Sequence, residues 1–190
     1  MASGNNGRVF WTAAAGIITL DVITKALAVR YLMPQHIPHP IIGEFVRFTL
    51  AFNPGAAFSM SLGAYSRVVF GTFAFIALII LWRLYRASSA GETIRVLALG
   101  LAWGGAAGNL IDRFLQRDGI RNGVVDFIDI GIGDVRFWTF NVADSAVTVG
   151  ALMLAWVLWR EDRRALATAL TDPAESSRHA RRPSSYPAAA

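Results

Sequence analysis

The chain has 190 residues, of which 54% are hydrophobic and 16% are charged, and its mean hydropathy is +0.43. This balance is too apolar for a typical soluble domain and predicts a single domain in a lipid bilayer. The net charge of +5 does not indicate nucleic-acid binding, because the basic residues mostly flank apolar segments. The lack of cysteine excludes disulfides and cysteine nucleophiles.

Four segments have the length and apolar character of transmembrane helices. They cover about residues 9–31, 68–86, 94–113 and 137–159. The first is too long, and too polar in its second half, for a cleaved signal peptide. We expect a mainly α membrane protein with one four-helix domain over residues 1–165 and a disordered cytoplasmic tail over residues 166–190.

The long loop after the first span has the composition of a small β-sheet. Val46–Phe52 is rich in β-branched and aromatic residues, and Asn53-Pro54-Gly55 predicts a turn after it. Further strands are predicted at Ala56–Met60 and Val135–Phe140. Arginines close to the span ends favour an orientation with both termini in the cytoplasm, which places these strands outside.

Ionisable side chains within spans usually face a partner or a cavity. Asp21 and Lys25 are four residues apart, so they share a helix face and can neutralise each other. A structural pair that docks the first helix explains them without a direct role in catalysis.

The third span combines glycines with a polar end. Gly100, Gly104, Gly105 and Gly108 have the small-xxx-small spacing that lets another helix approach closely. Asn109, Asp112 and Arg113 then share one helix face. An interfacial ion pair would explain these three residues, and so would a network that orients a catalytic carboxylate or binds substrate carbonyls.

Two aspartates lie near the outer ends of spans. Asp126 follows the third span between apolar neighbours, and Asp144 begins the fourth span on a face shared with Asn141. Alone, Asp144 could be a helix-start carboxylate stabilised by the helix dipole. Two close carboxylates cannot both ionise, so one can deprotonate water while the other donates a proton to a peptide carbonyl. This chemistry requires no metal and no cofactor, and the histidines show no ligand spacing.

Other aspartates are interpreted differently. Gly131-Ile132-Gly133-Asp134 matches the GxGD pattern of presenilin-type aspartic proteases, but it lies outside the spans, so we interpret Asp134 as a turn residue. We expect Asp112 to be a support paired with arginine, and we assign no role to Asp129.

Five segments together resemble the bacterial lipoprotein signal peptidases, or signal peptidase II. They are Asp21–Lys25, Asn53–Phe58, Gly104–Arg113, Val125–Phe127 and Phe140–Asp144, and they follow the family's order over about residues 9–160. Each motif is weak alone, but five in order between four spans are specific. A longer, charged stretch at residues 116–122 departs from the family pattern and should alter only a surface loop.

The resemblance implies an aspartic endopeptidase of the bacterial inner membrane, with a small antiparallel β-sheet cradle and an active site at the periplasmic face. It would cut prolipoproteins before a diacylglyceryl-modified cysteine, contact membrane lipids, act as a monomer and be inhibited by globomycin. Asp126 and Asp144 would form the catalytic dyad. The residues implied for substrate binding or support are Asn53, Gly105, Asn109, Asp112, Arg113, Asn141, Asp21 and Lys25.

The alternative is a small polytopic transporter or channel component in which the buried ionisable residues form an ion path. Transporters of that kind often show inverted repeats or broken helices. The sequence contains neither feature.

Overall fold

A computed structural model describes residues 4–55, 65–114 and 123–171 of the chain. The elements are α1 (Gly4–Tyr31), β1 (Pro38–Ile42), β2 (Val46–Asn53), α2 (Ser66–Ala87), α3 (Thr93–Phe114), β3 (Val124–Ile132), β4 (Val135–Arg136) and α4 (Val142–Thr171). Long helices with one small antiparallel sheet confirm the predicted fold class. The strand predicted at Ala56–Met60 lies outside the described residues.

Among the described residues, four helices are long and apolar enough to cross a membrane. Their most apolar windows have mean hydropathies of 1.6, 2.1, 1.4 and 1.7 from α1 to α4. The sequence predicts four such helices because a bilayer requires about 20 consecutive apolar residues, and this signal is local in the chain. The protein is therefore a multi-pass membrane protein.

The fourth helix differs from its prediction at both ends. It begins at Val142 rather than near residue 137, because the preceding segment is extended: the Phe137 N–H donates to the Ile130 carbonyl, and Phe140 pairs with Ile128. It ends at Thr171, so residues 166–171, predicted as part of a disordered tail, are helical. This segment is rich in alanine and leucine, which favour helix.

The chain divides into two compact units, Met1–Leu154 and Ala155–Ala190. The first unit contains the strands, α1 to α3 and the beginning of α4, and every site residue discussed below belongs to it. In the second unit, the guanidinium groups of Arg160 and Arg163 lie over the rings of Trp156 and Trp159.

Helix α3 is the most buried span: 56% of its apolar window is buried, against 6–22% for the other three helices. Its glycines allow this burial. A Cβ on Gly104 would lie 2.8 Å from the Ala14 carbonyl oxygen of α1, and a Cβ on Gly105 would overlap the Ala143 carbonyl oxygen of α4. The backbones of α1 and α4 therefore contact α3 directly, as the glycine spacing predicts.

The sheet is fixed against the end of α1. Its strands follow the order β1-β2-β3-β4, and neighbouring strands are antiparallel. Leu50 of β2 and Phe127 of β3 are buried in one apolar cluster with Ala28 of α1. Because Asp126 precedes Phe127 and lies opposite Ala51, this packing holds its carboxylate at a defined position beside the helix ends.

The strand predictions were correct in part. The stretch Val46–Phe52 is strand β2, whereas Val135–Phe140 contains only the two-residue strand β4 and an isolated bridge at Phe140. The edge strand β1 was missed because its two prolines are unfavourable in most strands. Asp134 lies in the turn between β3 and β4, as predicted.

Asp129, which had no predicted role, is buried in an ion-pair cluster. Its carboxylate contacts the guanidinium groups of Arg47 and Arg136 and accepts a hydrogen bond from the Thr49 hydroxyl at 3.0 Å. Arg136 also donates to the Glu44 carbonyl at 3.0 Å. The cluster ties the β1–β2 turn to β3 and β4, a contact between distant segments that sequence spacing does not reveal.

Candidate active site

A cavity of about 960 Å³ lies between the sheet and the polar ends of α3 and α4. Asp126 and Asp144 both line it, so the structure brings the predicted pair to one place. Three other predicted site residues, Asn53, Asn109 and Arg113, also line the cavity.

Asp126 is the more buried carboxylate of the pair, with 3% of its surface exposed. Its two oxygens accept hydrogen bonds from the side-chain amides of Asn141 at 2.7 Å and Asn53 at 3.2 Å. Burial, reinforced by the nearby charge of Asp144, raises the pKa of Asp126 from its usual 3.8 to about 7. The amide hydrogen bonds lower the pKa, but they do not offset the burial.

This raised pKa predicts a pH-dependent stability. The folded protein binds the proton more tightly than the unfolded chain, so the stabilisation is complete below the unfolded pKa of 3.8 and is lost as the pH rises through about 7. Between about pH 5 and about pH 8 we expect the free energy of unfolding to decrease by roughly 3 kcal/mol in the unsubstituted protein. The Asp126→Asn variant should not show this decrease. Unfolding in detergent measures this difference, with Asp134→Asn as control. Equal pH dependence in the Asp126→Asn variant and the unsubstituted protein would contradict it.

Asp144 lies in the first turn of α4, and Asn141 caps that helix. The Asn141 side-chain oxygen accepts a hydrogen bond from the Asp144 N–H at 2.9 Å, and the Asp144 carboxylate accepts one from the Asn141 N–H at 3.3 Å. This is the reciprocal arrangement of a capping box, with Asn and Asp in place of the usual Ser or Thr and Glu. It holds the Asp144 carboxylate at the positive end of the helix dipole.

Two asparagines connect the carboxylates. Asn141 is fully buried, and its amide nitrogen, which donates to Asp126, also lies 3.1 Å from the Asn109 side-chain oxygen. The Asn109 amide nitrogen donates to Asp144 at 2.7 Å. The two carboxylates are therefore held in different surroundings by a continuous set of amide hydrogen bonds.

Behind these amides, Lys25 is buried and contacts two carboxylates. Its ammonium lies 2.7 Å from Asp21 and 2.8 Å from Asp112. Among the described residues, Asp112 therefore pairs with Lys25 and not with the arginine that was expected. Adjacent residues on a helix point about 100° apart, so Asp112 turns toward α1 while Arg113 turns toward the cavity.

Arg113 connects α3 to the loop after β2. Its guanidinium donates to the Asn109 carbonyl and to the Gly55 carbonyl, both at 3.1 Å. The Gly55 N–H in turn donates to the Asn53 side-chain oxygen at 3.1 Å, as expected for the predicted turn. Arg113 thereby positions the Asn53 amide, which contacts Asp126.

Part of the cavity wall was not predicted from the sequence. Residues 137–140, three of which are aromatic, line the cavity, and so does His36. His36 adopts a left-handed backbone conformation, with φ of 67°, and its N–H donates to the Leu50 carbonyl at 2.8 Å. A single histidine in a loop carries no sequence signal for this placement.

Within the described parts of the chain, no group of three or more His, Cys, Asp or Glu side chains is arranged to ligate a metal.

The predicted site residues thus fall into two groups. Asp126, Asp144, Asn53, Asn109 and Arg113 line the cavity. The others lie behind it: Asn141 caps α4, Gly105 is a helix contact, and Asp21, Lys25 and Asp112 form a buried ionic cluster.

These observations define a membrane protein with a pair of carboxylates, of which Asp126 is buried, at a cavity beside its helix ends. The signal peptidase (SPase) II family matches residues 13–160 of the chain. The lipoprotein signal peptidase of Mycolicibacterium smegmatis is 44% identical over 149 residues, which cover 77% of this chain and 59% of that protein. The lipoprotein signal peptidase of Mycobacterium avium is 42% identical over 149 residues, or 77% of this chain and 76% of that protein.

Solved structures of bacterial membrane enzymes have a similar fold. Two structures, each described as a bacterial membrane enzyme, superpose with TM-scores of 0.70 and 0.66 at 28% and 30% identity. They cover 85% and 77% of this chain, and 90% of each matched chain. The chain belongs to the signal peptidase II family. This membership supports the peptidase interpretation and not the transporter or channel alternative.

Proposed function

We propose that this protein is a membrane-embedded aspartic endopeptidase that removes the signal peptide from diacylglyceryl-modified prolipoproteins. The cut would fall directly before the lipidated cysteine. The observation that carries the proposal is the pair of carboxylates, Asp126 and Asp144, which line one cavity in different surroundings. The family assignment supports the choice of substrate.

The two carboxylates take different roles in the proposed reaction. Asp126, with a pKa of about 7, retains a proton in a large share of molecules at neutral pH and donates it to the carbonyl oxygen of the scissile peptide. Asp144 accepts hydrogen bonds from Asn109 and from the Asn141 N–H, which orient its carboxylate, and it takes a proton from the attacking water. As the C–N bond breaks, that proton reaches the leaving amine, and Asp126 takes a proton back from a hydroxyl of the tetrahedral intermediate, so the pair returns to its starting state.

The amides around the cavity would orient the substrate. Asn53 and Arg113 lie at the cavity wall with N–H groups suited to peptide carbonyls. The aromatic residues Phe137, Trp138 and Phe140 offer apolar surface on the same cavity, which suits a lipid-modified substrate. The substrate would then remain in the bilayer while its cleavage site enters the cavity.

The same proposal includes the membrane orientation and the oligomeric state of the enzyme. Both termini would lie in the cytoplasm, and the sheet with its cavity would lie at the periplasmic face of the inner membrane, as the arginines near the span ends favour. The protein would act as a monomer in contact with membrane lipids, and globomycin would inhibit it. Residues 1–165 would form one catalytic domain, with residues 166–190 as a cytoplasmic tail.

The experiment that tests this function compares two forms of one substrate. The purified protein in lipid nanodiscs is incubated with a prolipoprotein whose lipobox cysteine carries diacylglycerol, and with the unmodified form. We expect release of the signal peptide from the lipidated form only, with the modified cysteine as the new N-terminus by mass spectrometry, and we expect globomycin to block it. Equal cleavage of both forms, or cleavage of neither, would contradict the proposal.

A further inference from the structure

The Lys25 ammonium is at the centre of a buried cluster, with 3% of the residue exposed. It lies 2.7 Å from an Asp21 oxygen, 2.8 Å from an Asp112 oxygen and 2.9 Å from the Asn109 side-chain oxygen. An ammonium has three N–H donors and no acceptor, and the two ion-pair partners and one hydrogen-bond acceptor around it match that number. Mutual neutralisation of Lys25 with Asp21 does not explain why two further acceptors from α3 converge on it.

Two of these acceptors connect Lys25 with the start of α4. Asp21 uses its other oxygen to accept the Ala143 N–H at 2.9 Å, directly before Asp144. Asn109 uses its amide nitrogen to donate to the Asp144 carboxylate at 2.7 Å. One contact fixes the backbone beside Asp144, and the other fixes its side chain.

The third acceptor connects Lys25 with β3. The Asp112 oxygen that contacts the ammonium also accepts the Val125 N–H at 3.1 Å. Val125 directly precedes Asp126, so this bond holds the strand where it presents that carboxylate. A single side chain in α1 is therefore one hydrogen-bonded residue away from Asp144 and from the backbone of Val125, which directly precedes Asp126.

The ammonium also selects the orientation of the Asn109 amide. Because Lys25 can only donate, the Asn109 oxygen must face it, and the amide nitrogen is thereby directed at Asp144. Without the ammonium, only the Asn141 amide contact at 3.1 Å would oppose a turn of the Asn109 amide, which would present its oxygen to the Asp144 carboxylate, where two acceptors repel each other.

We propose that Lys25 is a positioning residue for the carboxylate dyad, which orients Asn109 toward Asp144 and, through Asp112, fixes the strand that carries Asp126. The proposal rests on the proposed peptidase function. It assigns Lys25 a role in the rate of the chemical step, beyond the docking of α1.

The test measures kcat and KM of Lys25→Met on the lipidated substrate, together with unfolding in detergent. Lys25→Met leaves the buried Asp21 and the partly buried Asp112 without a cation. A second variant, Asp21→Asn/Lys25→Met, therefore keeps the net charge of the cluster and an acceptor for the Ala143 N–H. It is compared with Asp21→Asn alone. We expect kcat to fall by roughly 10- to 100-fold while KM changes by less than about two-fold, as is usual when a group that orients another is lost.

A double-mutant cycle with Asn109→Ala separates positioning from a purely structural role. If Lys25 acts through Asn109, the loss in kcat for Lys25→Met/Asn109→Ala is smaller than the product of the two single losses. Losses that multiply, an unchanged kcat in a folded Lys25 variant, or failure of both Lys25 variants to fold would each overturn the proposal. Failure of the unsubstituted protein to cleave the lipidated substrate would instead contradict the proposed function.

Discussion

Asp126→Asn and Asp144→Asn are each expected to abolish cleavage of the lipidated substrate while the protein still inserts and folds. Each substitution removes one proton-transfer group from the dyad and preserves the size of the side chain. A positioned acid or base contributes about 10²- to 10⁴-fold to a rate, so we expect kcat to fall by at least about a hundred-fold in either variant. Initial rates of signal-peptide release, at equal amounts of folded protein in nanodiscs, measure the loss.

The matched control is Asp134→Asn, the same chemical change in the turn between β3 and β4. This residue completes the GxGD pattern but does not line the cavity, so its variant should retain most of the activity. Normal processing by Asp126→Asn or Asp144→Asn would refute the dyad. Complete loss in Asp134→Asn with normal folding would show that the GxGD pattern has a catalytic role here.

The spans could be predicted from the sequence because the bilayer selects long apolar segments whatever their neighbours are. The residue at which a span begins or ends could not be predicted in this way, because tertiary contacts determine it. The aromatic residues 137–140 continue the apolar run of α4 in sequence, but pairing with β3 keeps them extended. Hydropathy cannot distinguish these two states.

The site was predicted to a similar degree. The ordered motifs selected Asp126 and Asp144, which line one cavity in the structure. The partners of other polar residues could not be predicted from the sequence. Asp112 contacts Lys25, which lies 87 positions earlier, and Asp129 contacts arginines from two other strands. Such contacts depend on how α1, α3 and the sheet pack. One local signal was available and was not used: the spacing of Asn141 and Asp144 is that of a helix cap and its N3 partner.

That cap leads to the second prediction with a large effect. Asn141→Ser retains a side-chain oxygen that can cap α4, but it removes the amide nitrogen that donates to Asp126 at 2.7 Å. The loss of one aimed donor in a buried site costs about 10²- to 10³-fold in kcat, so we expect a decrease of that size, with a smaller loss of stability than when the cap is removed as well. Steady-state kinetics on the lipidated substrate and unfolding in detergent measure the two effects separately.

Asn141→Ala provides the comparison, because it removes the cap as well as the donor. We expect a similar loss of kcat and, in addition, a loss of about 1 kcal/mol in stability, the usual contribution of a helix cap. If Asn141→Ser instead cleaves at nearly the normal rate, the residue serves α4 alone and the hydrogen bond to Asp126 has no catalytic consequence. If the activity of both variants falls only in proportion to the amount of folded protein, the loss of the helix cap is sufficient to explain the effect of substituting Asn141. The expected separation of rate from stability would show that one asparagine both begins the helix that carries Asp144 and holds the carboxylate of Asp126.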